Sequence, residues 1–215
     1  MLQTETIERE TLELLKKLMQ DENLSDFFLV GGTNLALQIG HRLSIDLDLF
    51  THIPFETNDL VSHLIKVYDI QIERVKEKNT IVGRIAGVKI DMIAHIYPLL
   101  QSPIIDEGVR MCSLQDITAM KLVAISDNGT RLKDFVDIAY LSTKMSLVQM
   151  LEYYAAKYKN TSPIHALKGL AYFGDINFDE SIFLCNRKKF NWEKIEQRIR
   201  DMIKFETKIF ETQPI

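Results

Sequence analysis

Two aspartates one residue apart, Asp46 and Asp48, sit inside the apolar run Ile45-Asp46-Leu47-Asp48-Leu49-Phe50. Side chains on a strand alternate faces, so residues two apart share one, about 6.5 Å apart along the chain. That pattern sends Ile45, Leu47 and Leu49 to the core and both carboxylates outward together. Like charges so close repel unless a cation lies between them. Mg²⁺ is the natural cation, because it takes oxygen ligands and is usually held by one or two carboxylates plus substrate phosphates. Lys89-Ile90-Asp91-Met92 repeats the alternation and puts Lys89 and Asp91 on one face. A strand carrying Asp91 beside the first would add a third carboxylate. Three carboxylates and two metal ions suit in-line phosphoryl transfer. An acidic solvent-facing strand would read the same way, so each motif alone is weak.

Gly31-Gly32-Thr33 stands between an apolar strand and a helical pattern. Glycine lets backbone approach a phosphate closely, and a helix start offers free N–H groups. No Gly-Lys-Ser/Thr or Gly-x-Gly-x-x-Gly follows, so neither familiar nucleotide loop is present. Lys121 lies among Met120, Leu122 and Val123 on a predicted helix. Such a lysine ordinarily marks the wet face, and its alternative role is to neutralise a triphosphate as a point charge. Arg131 precedes Asp134 and Asp137, which are spaced to share one helix face. The five histidines form no metal-type pair. Cys112 and Cys185 are far apart and lack a local catalytic pattern, and Ser44 has no nearby histidine to activate it.

The elements that must position these residues divide in texture. Helical periodicity spans roughly 4–20, a strand is predicted at 26–30, and a helix at 34–39 with Thr33 as its cap. A strand follows at 44–50, then a helix to about 67 capped by Thr57 or Asn58. Three β-like runs come next, at 69–75, 80–86 and 88–95. Beyond Pro103 the pattern turns helical, with Ser113 capping a helix that Asp127-Asn128-Gly129 ends. Further helices are predicted at 132–142, 147–158, 163–173 and 191–210. The expected class is α+β: an α/β domain at 1–110, then a helical domain at 111–215 that completes the active-site cleft.

The 215 residues carry a net charge of −4. Residues 141–215 hold 12 Lys/Arg against 9 Asp/Glu, so residues 1–140 carry −7. A mildly basic back half could touch a polyanion, although an ordinary solvated face explains any one basic run as well. The first twenty residues alternate charge with leucine, so no signal peptide is expected. No run of eighteen apolar residues exists to span a membrane, and a reduced cytoplasmic setting fits the two cysteines.

The order of these motifs resembles the nucleotidyltransferase superfamily with the DNA polymerase β type core, and more closely the AbiEii/AbiGii toxin family. The carrying residues are Gly31-Gly32-Thr33, His41-Arg42-Leu43-Ser44-Ile45-Asp46, Asp46-Leu47-Asp48, Lys89-Ile90-Asp91, Lys121-Leu122-Val123-Ala124 with Arg131, and Asp134-Phe135-Val136-Asp137. They span roughly 27–141. The resemblance implies a nucleotidyltransferase-like mixed sheet flanked by helices, then a helical part. It implies transfer of a nucleotide from an NTP to an acceptor hydroxyl, in some members the 3′ end of tRNA, by the toxin of a bacterial toxin–antitoxin or phage-defence system. A cognate antitoxin protein is the expected partner. Asp46, Asp48 and Asp91 are expected to hold two Mg²⁺ (or Mn²⁺) ions and, with Lys121, to carry the chemistry. Gly31, Gly32, Thr33, Arg42, Ser44, Lys89, Arg131, Asp134 and Asp137 are expected to bind or organise the nucleotide. The rival readings are a silent binding module of the same fold and an Asp-x-Asp glycosyltransferase.

Overall fold

The computed structural model describes residues 1–76 and 79–215. The chain forms two compact units, Met1–Ser113 and Leu114–Ile215.

In the first unit the chain order is α1 (Arg9–Gln20), β1 (Phe28–Val30), α2 (Gly31–Ile39), β2 (Leu47–Thr51), α3 (Thr57–Tyr68), β3 (Gln71–Lys76), β4 (Thr80–Ile85), β5 (Val88–Ala94), β6 (Ile104–Asp106) and β7 (Val109–Met111). The seven strands form one mixed sheet, ordered β3-β4-β5-β2-β1-β7-β6. The predicted meander is β3-β4-β5, paired antiparallel throughout. β5 then runs parallel to β2, and β2 antiparallel to β1. Period-two burial explains the central strands. Leu47, Leu49, Ile90 and Met92 are fully buried, in one cluster with Leu15 and Leu18 of α1 and Leu64 of α3. The opposite face of β2 and β5 carries Asp48, Lys89 and Asp91, followed along the strands by the partly buried pair Phe50 and Ile93.

Several boundaries differ from the sequence reading. The predicted helix 4–20 is a short 3₁₀ turn, Thr4–Thr6, followed by α1, because Ile7 and Glu8 are extended. The strand predicted at 44–50 begins only at Leu47, and Ile45 is 61% exposed rather than in the core. Ser44 is tied elsewhere, its N–H donating to the Thr6 carbonyl at 2.9 Å. α3 starts after Glu56, with no side-chain cap from Thr57 or Asn58. β6 and β7 were not foreseen. Each is three residues long, too short to show a period, and β7 is interrupted by Arg110. That arginine donates to the carbonyls of Phe27, Met19 and Leu24 at 2.9, 2.6 and 2.9 Å, which fixes the approach to β1.

Just past α1, Asp21 ties the end of that helix to α3. Its Oδ2 lies 2.6 Å from His63 Nε2 and accepts from the Tyr68 hydroxyl at 2.7 Å. Burial pushes the Asp21 carboxyl up. The hydrogen bonds from His63, Tyr68 and Asn23 outweigh it and hold the pKa down at about 2, against an ordinary 3.8. A depressed carboxylate pKa adds stability that is present above pH 4 and lost as pH falls toward 2. Asp21→Ala should therefore cost about 2 kcal/mol at pH 7. Urea midpoints of the two proteins should converge as pH drops from about 4 to 2. A gap that stays constant over that range would reject the linkage.

The second unit is helical: α4 (Leu114–Asp127), α5 (Leu132–Leu141), α6 (Leu147–Lys157), α7 (Pro163–Ala171) and α8 (Trp192–Lys204). α6 opens with a capping box between Ser146 and Gln149. α7 has Pro163 in its first turn behind the Ser162 cap. α8 ends at Lys204, short of the predicted 210. Phe135, Phe173 and Phe178 meet the Trp192 ring edge-on, with centroids 5.4–6.2 Å away. Among the described residues no helix is long and apolar enough to cross a membrane.

Candidate active site

The register of β2 and β5 sets the centre of the site. Asp48 lies directly opposite Asp91 on neighbouring parallel strands, flanked by the fully buried pairs Leu47–Ile90 and Leu49–Met92. Register partners on one face stand about 4.8 Å apart, so the two carboxylates form a pair. Asp91 Oδ2 is 3.1 Å from Lys89 Nζ, one residue-pair along the same face. Asp91 Oδ1 is buried and has no hydrogen-bond partner among the described residues. A buried carboxylate oxygen left without a donor is costly unless a proton or cation supplies the missing interaction.

The double glycine is explained by what approaches it. Gly31 opens α2 with φ +69°, a conformation that other residues adopt only under strain. A Cβ there would also overlap the Asp48 carboxylate. A Cβ on Gly32 would fall 2.5 Å from Arg42 Nη2 and 3.3 Å from Ser44 Oγ. The backbone at the start of α2 is thus bare so that a carboxylate and a guanidinium can lie against it. Thr33 does not cap the helix, which begins two residues before it. Its buried hydroxyl donates to the Asp46 carbonyl and sits 2.8 Å from Ser44 Oγ, so it pins the loop that leads into β2. Arg42 is 3% exposed and donates from Nη1 to the Leu43 carbonyl at 3.0 Å.

The first unit therefore gathers Gly31, Gly32, Thr33, Arg42, Ser44, Asp48, Lys89 and Asp91. Asp46 immediately precedes β2, and its carbonyl accepts from the Thr33 hydroxyl. Among the described residues no group of three or more His, Cys, Asp or Glu side chains is assembled as a metal site. Two carboxylates with one bare buried oxygen are nevertheless what Mg²⁺ asks of a protein when phosphates complete its ligands.

In the second unit Lys121 is buried, not on the wet face of α4. Its Nζ lies 2.6 Å from Asp134 Oδ1 and 2.7 Å from Asp137 Oδ2. The two aspartates are one turn apart on α5 and converge on the ammonium. Arg131 is mostly exposed, with Nε 3.8 Å from Asp134 Oδ2. Its place in the first turn of α5 would by itself suit Asp134 to the helix dipole, and the structure adds the ion pair with Lys121. A second buried pair, Lys157 with Asp116 at 2.7 Å, was missed entirely. Forty-one residues separate the partners, and neither stands in a recognisable motif.

The fold that carries this glycine turn and carboxylate pair is shared with nucleotidyltransferases of known structure. The structure superposes on a Helicobacter pylori protein solved as a candidate nucleotidyltransferase, with a TM-score of 0.56 and 21% identity, covering 92% of this chain and 95% of that one. It superposes equally on MenT4, a nucleotidyltransferase toxin from Mycobacterium tuberculosis H37Rv, with a TM-score of 0.56, 14% identity, and 94% and 85% coverage. An uncharacterised protein of Aquifex aeolicus is 30% identical over 204 residues, 92% of this chain and 96% of its own length. The family described as nucleotidyl transferase AbiEii toxin, type IV TA system, matches residues 13–91 and 88–212. The chain belongs to the AbiEii nucleotidyltransferase toxin family, and it is a transferase enzyme.

Proposed function

We propose that this protein transfers a nucleotide from an NTP to an acceptor hydroxyl on RNA, tRNA being the first candidate, and that it does so as the toxin of a bacterial toxin–antitoxin pair in the cytoplasm. The observation that carries the reading is the Asp48–Asp91 register pair beside Gly31, with Asp91 Oδ1 buried and unsatisfied.

Asp48 and Asp91, with Asp46, would hold Mg²⁺ (or Mn²⁺), which when bound would offset triphosphate charge and acidify the acceptor hydroxyl. The bare backbone of Gly31 and Gly32, at a helix start, lets N–H groups approach the phosphates. The acceptor oxygen bonds to the α-phosphorus as the bond to the β-phosphate bridging oxygen breaks. Asp91 Oδ1 accepts the proton that the hydroxyl gives up, and pyrophosphate leaves. Lys121, oriented by Asp134 and Asp137, is the further cation that the family resemblance assigns to the chemistry. Arg42 adds a fixed cation against the glycine turn.

The test is a transfer assay with Mg²⁺, each α-labelled NTP in turn and total bacterial RNA, beside an Asp46→Asn/Asp48→Asn control. Label in a tRNA-sized band, absent from the control, is the expected result, and it names the base. Label on a protein instead would keep the chemistry and reject the RNA acceptor.

A further inference from the structure

The helical unit carries a cationic turn that the transfer chemistry does not use. Residues 181–191 contain Arg187, Lys188 and Lys189 and no acidic residue, in a chain whose net charge is −4. All three are exposed, and none forms an ion pair among the described residues. Cations elsewhere on this unit are often paired: Lys133 with Glu180, Arg200 with Glu196 and Lys157 with Asp116.

The turn is built, not loose. Arg187 holds φ +58° and its N–H donates to the Leu184 carbonyl at 3.1 Å. The Lys188 N–H donates to Asn186 Oδ1 at 3.0 Å, and Asn186 Nδ2 donates to the Ile215 carbonyl at 3.1 Å. Ile182 and Leu184 are anchored at 9% and 7% exposure. Phe183 between them is turned outward and left 64% exposed. Three unpaired cations and an open aromatic ring thus stand within seven residues on a fixed backbone.

We infer that this turn is a docking surface for single-stranded RNA, with Arg187, Lys188 and Lys189 on phosphates and Phe183 stacked on a base. The inference rests on the RNA reading of the acceptor. Charge selects a polyanion, and the exposed ring selects one with unstacked bases, since duplex RNA hides its base faces. An amphipathic helix, the usual means of lying on a lipid surface, is absent from this irregular segment.

Fluorescence anisotropy tests it directly, using the full-length protein in EDTA and a fluorescein-labelled oligoadenylate of about twelve nucleotides, within the single-strand site range. Arg187→Asn/Lys188→Gln/Lys189→Gln should bind roughly tenfold more weakly at about 0.1 M salt, with a log K against log salt slope shallower by about 2. Asparagine at 187 tolerates the left-handed backbone. Phe183→Ala should weaken binding roughly tenfold with the slope unchanged, because stacking releases no counterions. Melting curves and the NTP-induced thermal shift should match wild type in both variants. Wild-type failure to bind the oligonucleotide, unchanged affinity in the triple variant, or equal competition by polyglutamate or by duplex RNA would each overturn the inference. EDTA silences transfer, so anisotropy judges this surface whatever acceptor the labelled-NTP assay reveals.

Discussion

Asp48→Asn should abolish nucleotide transfer, on the order of 10³-fold, equivalent to about 4 kcal/mol of transition-state stabilisation. The side chain keeps its shape, so the strand pairing of β2 with β5 and the clearance at Gly31 are retained. What changes is charge. Asn offers a divalent cation one neutral carbonyl oxygen in place of a charged carboxylate, so an ion shared with Asp91 is held far more weakly, and the repulsion between the two carboxylates disappears. Two readouts follow from that difference. Incorporation of α-labelled NTP should fall to background, while the melting temperature without metal should hold or rise. The stabilisation that Mg²⁺ and NTP give the wild-type protein should be lost together. A variant that keeps full transfer would remove Asp48 from the machinery and with it the assigned metal site. A variant that loses transfer but keeps the Mg²⁺-dependent stabilisation would leave Asp48 a role in the chemistry and move the ion elsewhere.

The central strands were legible because burial on one face imposes a period of two that survives in sequence. Leu47, Leu49, Ile90 and Met92 report that face directly. The same rule failed at Ile45, where the apolar alternation continues but the backbone does not. Thr33 and Thr6 hold the preceding loop off the sheet through partners thirteen and thirty-eight residues away. Gly31-Gly32 could be read as a turn, but not why both glycines are needed, since Asp48 and Arg42 reach them from other elements. Lys121 shows the limit most clearly. Read along its own helix it belongs on the solvent face, and only the approach of α5 turns it into a buried cation between two carboxylates. Asp134-Phe135-Val136-Asp137 held half of that information, because its spacing puts both carboxylates on one face. The identity of their partner is a tertiary fact.

The largest expected effect on stability lies away from the proposed chemistry, at Lys157. Its side chain is 1% exposed and that of Asp116 is fully buried, with 2.7 Å between the charges. Removing one partner of such a pair strands the other charge in a low-dielectric interior, which costs about 3–5 kcal/mol. Lys157→Met keeps the length and apolar stem, so little of its cost can be assigned to a cavity. The unfolding transition of the helical unit should fall by on the order of 10 °C. Asp116→Leu/Lys157→Met removes both charges and should recover most of the loss, because a buried ion pair is seldom better than a well-packed apolar one. The comparison of single and double variants separates desolvation from packing. A single variant costing under about 1 kcal/mol would mean that water reaches Asp116, and a double variant no better than the single would mean that packing dominates. The pair also bears on function, because it fastens α6 to the helix that carries Lys121. Asp134 and Asp137 fasten α5 to that same helix. With two charged clamps on one helix, the Lys121 ammonium is placed by the whole helical unit. Loss of Lys157 should therefore lower transfer as well as stability, and the double variant should restore both in parallel.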